Sequence, residues 1–373
     1  MASRRQIIVG LGGVLVAGAA AGTWRVLRQP EAAIAPWTGL DQPVADPRLD
    51  AFRHAILAPN PHNRQPWLIR LEGQDSAVLT CDLTKRLPQT DPFDRQIIIG
   101  FGTFIELASI AASGRGYRLL VEPFPDGEPQ PRIDERPVAG LRFVADPALR
   151  PDPLLAAIAE RRTNRQVYRA LPSGRLAALA EPGVTLSENP VMLGQLRELA
   201  VAAITCEMHT PPAHKESIDL MRIGATEIDA QPDGLALSGP MIEATALLGI
   251  TTRASLADPA STAFRLGLED LERTYGSIPA AGWIVTPDNS RASQIAAGRS
   301  YARLTLRAAA AGIAVHPLSQ SLQEYPEMAD LYARAYRLLA PEPGQRLQML
   351  ARLGLADPVR PAARYPLEAH LRA

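Results

Sequence analysis

The chain has 373 residues, 46% hydrophobic and 21% charged, a composition that folds into one large domain or two ordinary ones. Lys plus Arg equals Asp plus Glu at 39 each, so no net field draws nucleic acid or anionic lipid. Two cysteines, Cys81 and Cys206, exclude a disulfide scaffold at this length; a single bridge stays open, and two buried free thiols are the favoured reading.

The first element is an address. Arg4-Arg5 precedes an uncharged apolar run from Ile7 to Gly22, the layout of a secretory signal, and the paired arginines resemble a twin-arginine one. Residues 1–24 are therefore expected to be such a signal or, because neither Ala17-Gly18-Ala19 nor Ala19-Ala20-Ala21 stands out for cleavage, a retained membrane anchor. The rival reading, a strand running into a nucleotide-binding glycine turn, fits less well, since the position that fingerprint needs as Gly is Leu15. Pro30, Pro36, Pro43 and Pro47 mark residues 25–47 as a linker.

The body carries one spacing twice. Arg95, Gly102 and Gly116 recur as Arg291, Gly298 and Gly312, with gaps of seven and fourteen residues in both places. Ala-rich helical runs, Thr103–Gly114 and Arg299–Ala311, lie inside the repeats. Each closing Gly is suited to a left-handed helix end, and each precedes a strand ending in Pro, Tyr117–Pro123 and Ile313–Pro317. Two related halves are expected, 48–150 and 151–373, packed as one globule. Other helices are expected at Pro153–Arg162, Leu193–Glu207 and Met328–Leu339. Further strands are expected at Trp67–Leu71, Ala77–Asp82, Leu141–Val144 and Gly282–Thr286. The stretch from Thr210 to Gly239, rich in Pro, Gly and polar residues, reads as a possible lid.

The run Ala58-Pro59-Asn60-Pro61-His62-Asn63-Arg64-Gln65-Pro66-Trp67 resembles the nitroreductase signature, in which a helix ends in Ala-Pro-Ser-x-x-Asn-x-Gln-Pro-Trp. Arg161-Arg162-Thr163-Asn164-Arg165 resembles a second signature of that family, Arg-x-Ser/Thr-x-Arg/Lys after a helix. Gln348–Gly354 and Arg364–Glu368 resemble its C-terminal run. With the twin-arginine start, the nearest resemblance is to the exported, Acg-like branch. The resemblance implies an α+β fold, a mixed sheet flanked by helices, and FMN as cofactor. Ordinary members are dimers that build each flavin site from two subunits, with the arginine motif first. Here the order is reversed and each half holds one motif, which implies an intrachain pseudodimer with one composite site and a monomeric chain.

FMN needs guanidinium forks and hydroxyls for its phosphate. Arg161, Thr163 and Arg165 alternate, so in an extended segment they share a side, and the resemblance adds Arg364. Asn60 and Asn63 match family positions that touch the flavin; Pro61 replaces the usual hydroxyl residue there. His62 is a further candidate for the pocket wall, whereas Gln65-Pro66-Trp67 reads as structural. The flavin ring performs the hydride chemistry, so no catalytic side chain is expected. No metal site is expected either: Cys206, His209 and His214 lack a fourth ligand and are interrupted by Pro211-Pro212. The expected function is FMN-dependent reduction of a nitro compound or quinone by hydride transfer at flavin N5, with NAD(P)H or a quinol as donor. The alternative is a non-catalytic protein that binds or stores FMN. An exported protein, periplasmic or anchored to the cytoplasmic membrane, is expected from the N-terminus.

Overall fold

The structure is a computed structural model and describes residues 26–42, 44–340 and 342–373; the expected signal segment lies outside them. The first half opens with helix α1 (Pro47–Ala55), whose N-cap Asp46 accepts from Arg48 N and whose first residue is Pro. Strands β1 (Trp67–Glu72) and β2 (Ser76–Cys81) form a hairpin, followed by α2 (Arg95–Ser113), β3 (Tyr117–Pro123) and β4 (Ala139–Ala145). Helix α2 is apolar on nearly every face and is buried almost throughout, as a helix between two layers must be.

The second half contains β5 (Val184–Ser187), α3 (Pro190–His209), α4 (Pro211–Asp219), β6 (Met221–Ile223), α5 (Gly224–Ala230), β7 (Leu235–Leu237) and α6 (Pro240–Leu247). Then come α7 (Thr262–Tyr275), β8 (Ala280–Thr286), α8 (Arg291–Ala310), β9 (Ala314–Pro317), α9 (Ala329–Leu339), β10 (Arg346–Gly354) and β11 (Leu371–Arg372). The architecture is α+β. One sheet has the order β11-β1-β2-β4-β3, the other β5-β8-β10-β9, and β6 pairs with β7 alone. The chain's last strand, β11, joins the first sheet parallel to β1, so the C-terminal tail returns across the first half.

Helices α2 and α8 cross at the centre, and two glycines set their distance. A Cβ on Gly102 would lie 2.2 Å from Ile295 O, and one on Gly298 would lie 2.1 Å from Ile99 O. These contacts are reciprocal, because 295 − 99 and 298 − 102 both equal 196. The repeated arginines exchange in the same way. Buried Arg95 donates to Gln348 O and Leu322 O, each at 2.8 Å. Buried Arg291 donates to Phe93 O at 2.9 Å and to Pro129 O and Pro131 O at 3.0 Å. Gly116 and Gly312 take φ of 72° and 64°, the left-handed turn after each helix.

Three sequence expectations differ here. Residues 153–156 form turns, and only Ala157–Glu160 is α-helical, because Pro153 and Asp152 start turns instead of a continuous helix. The proline-rich stretch before residue 47 does not trail: Ala33 and Trp37 are buried against the body. Residues 210–239 are folded into α4, β6, α5 and β7.

Candidate active site

A cavity sits beside the α2–α8 crossing and takes its walls from both halves. Pro59–Asn63 and Ile99, Gly100 and Thr103 come from the first half; Arg161–Thr163, Arg165, Tyr301, His316 and Gln320 come from the second. All six residues singled out in sequence, Asn60, Asn63, Arg161, Thr163, Arg165 and Arg364, line it. Their bonding separates them.

Helix α1 ends with carbonyls that have no intrahelical partner. Arg364, arriving on the C-terminal tail, donates from Nε to Ile56 O at 2.9 Å and from Nη2 to Leu57 O at 3.0 Å and Ala58 O at 3.1 Å. Its Nη1 donates to Asn63 Oδ1 at 2.6 Å and to Ala363 O at 2.8 Å. Five donors meet five acceptors, so Arg364 closes the helix end and holds Asn63, with no N–H left over for a phosphate. Burial, then the neighbouring Arg161 and Arg162, holds its pKa well below the ordinary guanidinium value.

The turn after α1 is built by its own side chains. Asn60 Oδ1 accepts from Gln65 N at 2.8 Å, and Asn63 Nδ2 donates to Ala363 O at 3.0 Å. His62, Asn63 and Gln65 have φ of 45°, 52° and 51°, a conformation that non-glycine residues adopt only when their surroundings hold them there. The surroundings are identifiable. Arg64 Nη1, Lys85 Nζ and Arg222 Nη2 all donate to the Asp233 carboxylate at 2.6–2.8 Å, and that carboxylate has no exposed surface. Gln65 Nε2 donates to Pro232 O at 2.7 Å. The 210–239 stretch thus clamps the back of the turn; none of its residues lines the cavity. Trp67 is fully buried against Phe101 and Phe104 and belongs to the core.

Arg161 is different. It is 2% exposed, and among the described residues only Nη2 has a partner, Leu57 O at 3.1 Å; Nε and Nη1 are buried without one. Burial lowers its pKa to about 10, so the group stays charged at neutral pH. A buried cation with unpartnered donors is costly unless an anion completes it. Thr163 and Arg165 follow in an extended segment, and Arg165 is exposed with no hydrogen bond to the described residues.

Several wall residues carried no sequence motif. The Trp37 ring lies 4.4 Å from the Arg162 guanidinium, 5.4 Å from that of Arg364 and 5.7 Å from that of Arg161, a cation–π stack at the arginine end. His316 is buried, and Arg352 Nε donates to its Nδ1 at 3.0 Å. An arginine only donates, so the His316 proton sits on Nε2. Burial, then Arg352 and Arg165, keeps that ring neutral by holding its pKa well below the usual value. Burial, then Arg165 and Arg64, lowers His62 to about 4, and its Nδ1 is buried without a partner. Cys206, His209 and His214 lie elsewhere: the two imidazoles meet the Phe264 ring, and Cys206 donates to Glu327 O.

These features define an α+β protein with a composite cavity that pairs a buried arginine cluster with an asparagine-built turn. No family profile matches the chain. Two curated Mycobacterium tuberculosis proteins, from strains CDC 1551 / Oshkosh and H37Rv, are each 32% identical over 147 residues, 39% of this chain and 40% of theirs. The second bears the name "Putative NAD(P)H nitroreductase Rv3131". The match thus spans about two fifths of the length of these relatives. Among solved structures, the FMN- and NADPH-dependent nitroreductase NfnB of a Sphingopyxis strain is 18% identical at a TM-score of 0.33, covering 58% of this chain and 96% of that one. A Desulfitobacterium hafniense nitroreductase with bound FMN is 14% identical at a TM-score of 0.31, covering 57% and 93%. Over those 147 residues the chain is similar to two proteins that bear the nitroreductase name.

Proposed function

We propose that the chain is an FMN-dependent oxidoreductase that reduces a small electron-poor acceptor, a nitro compound or a quinone, in a single site built by two halves of one chain. The observation that carries this reading is the composite cavity with Arg161's two unpartnered donors in its wall. The residues fit the cofactor. Arg161, Thr163 and Arg165 hold the phosphate, with Arg162 and Trp37 closing that end. Pro59, Leu87, Ile99 and Met349 offer the apolar surface a flat ring needs. Asn60 and Asn63 keep the turn in shape, each with one amide N–H still available, and Arg364 positions Asn63. His316 presents Nε2–H as a hydrogen-bond donor that titration does not remove. Bound FMN supplies hydride chemistry at its ring, so the protein's part is binding, orientation and exclusion of water.

Uptake and turnover test the reading. Purified chain should bind FMN, bleach under a reductant and regain colour with a nitro compound or quinone. NAD(P)H, the donor in the curated relative's name, and a quinol are the two arms for the reductant. A chain that takes up no FMN overturns the proposal; one that binds FMN but never reoxidises it is a store, not an enzyme. The Arg4-Arg5 start and the apolar run after it support export, with the protein in the periplasm or held at the outer side of the cytoplasmic membrane. Replacing Arg4-Arg5 with Lys-Lys should retain the protein in the cytoplasm; unchanged export refutes the twin-arginine route.

A further inference from the structure

One stretch of the second half carries no exposed charge of its own. From Gly234 to Thr252 the only ionisable residue is Glu243, in a chain that is 21% charged. Glu243 is buried, and its carboxylate accepts the Ala225 backbone N–H at the start of α5. What the stretch shows to the outside is apolar. Met241 in the first turn of α6 and Leu248 just past its end are 79% and 73% exposed. Leu247 and Ile250 beside them are at least half exposed. A cluster of large apolar side chains on a water-facing surface marks a place where something docks.

The chain's own path points to the partner. The described residues begin next to this surface: Arg28 Nη2 pairs with Asp229 at 3.0 Å, and Nη1 donates to Thr226 at 3.2 Å. Both partners are on α5, the helix whose start Glu243 of α6 closes. Leu27, the residue before, is itself 59% exposed. The uncharged apolar run ends at Gly22, six residues before Arg28. Six residues span at most about 20 Å even when fully extended. Whatever holds residues 7–22 is therefore held within a short reach of α5, and α6 lies against α5.

We infer that the exposed face of α6, with Leu27, rests on the surface of the lipid bilayer in which residues 7–22 are embedded. This rests on the anchored form of the export reading. The short tether makes docking intramolecular in effect, so a small apolar face suffices where an untethered one would not hold. An uncharged face with Met, Leu and Ile suits the boundary between headgroups and acyl chains, and it needs no anionic lipid.

The test uses the full chain with Cys206→Ser and a single spin label at Leu248→Cys, bound to phosphatidylethanolamine–phosphatidylglycerol vesicles. A label at Val191→Cys, also 73% exposed and on α3, is the reference. Docking predicts that oxygen relaxes the 248 label more than a water-soluble nickel chelate does, with the order reversed at 191. Equal chelate access at both positions, in protein that floats with the vesicles, overturns docking and leaves the anchor standing. Dipolar broadening between 248 labels on different molecules gives the face to a second copy instead and also overturns it. A chain that does not float overturns the anchored reading and the docking together.

Discussion

The two sides of the α2–α8 crossing start from related positions and end differently. On one side, Ile99, Gly100 and Thr103 of α2 front the cavity. Adding 196 to each number gives Ile295, Ala296 and Arg299 of α8. At that counterpart position Arg299 and Arg303 pair with Glu106 at 2.7 and 2.9 Å. Arg303 also reaches Asp152 at 2.9 Å, and Glu181 joins Arg303 to Arg307. The first side keeps buried donors unpartnered among the described residues around a cavity; on the second, Arg299, Arg303 and Arg307 are all in ion pairs. A symmetric pair of halves would build two equivalent sites; the single-site reading proposed above expects only the first side to take a flavin.

The comparison can be broken from either side. The largest effect is expected at Asp233→Asn, which removes the carboxylate behind the asparagine turn and leaves Arg64, Arg222 and Lys85 facing one another. Loss of one partner from a buried charge cluster costs about 3–5 kcal/mol, and denaturant unfolding reads it. A similar loss should follow acidification. Burial lowers the His370 pKa to about 4, while Lys85 and two arginines oppose its charging and Trp67 O, 3.0 Å from Nδ1, favours it only in part. Because the folded pKa lies below the unfolded value near 6.5, the unfolded chain takes up the proton first. Stability is thus full above about pH 6.5 and falls as pH drops towards 4, by about 3 kcal/mol for this group. His370→Gln should flatten that slope.

Gly298→Ala tests the crossing itself. Its methyl meets a backbone carbonyl and not a movable side chain, so the helices must part, at about 2 kcal/mol. An unchanged stability would mean the close approach is not what sets the cavity. Arg161→Ala should leave the fold intact and weaken FMN binding by about 1.5–3 kcal/mol, the range for a hydrogen bond to a charged group. Arg299→Ala, on the filled side, should cost under about 1 kcal/mol, because that pair is partly exposed, and should leave FMN affinity as it was. Equal effects of Arg161→Ala and Arg299→Ala on flavin affinity would erase the distinction between the two sides.

How much of this was readable in sequence depended on whether the cause was local. The doubled Arg–Gly–Gly spacing pointed to two helices, at Thr103–Gly114 and Arg299–Ala311; that each starts at its arginine and that they cross through Gly102 and Gly298 depends on packing the sequence does not display. The Asn60–Trp67 and Arg161–Arg165 runs pointed to residues that share one cavity. Arg364 was legible as a cavity residue but not in its bonding: that its donors meet the end of α1 depends on a tail folding back across some three hundred residues. Trp37 was hidden in a proline-rich stretch whose composition resembles a tether. His316 was one scattered imidazole until Arg352 supplied its partner from the neighbouring strand. The stretch 210–239 had the composition of a lid, yet a single buried Asp233 turns it into a clamp. Pairings across long separations, and the choice between an open and a closed charge, leave no periodicity to read.

The most direct test counts flavin. Full chain saturated with FMN is freed of excess cofactor, its mass is taken by light scattering across a wide dilution series, and released flavin is measured against protein. The account predicts one FMN per chain on a monomer, retained at every dilution. Two FMN per chain, or one per two chains lost as a dimer dissociates, would contradict the single intrachain site.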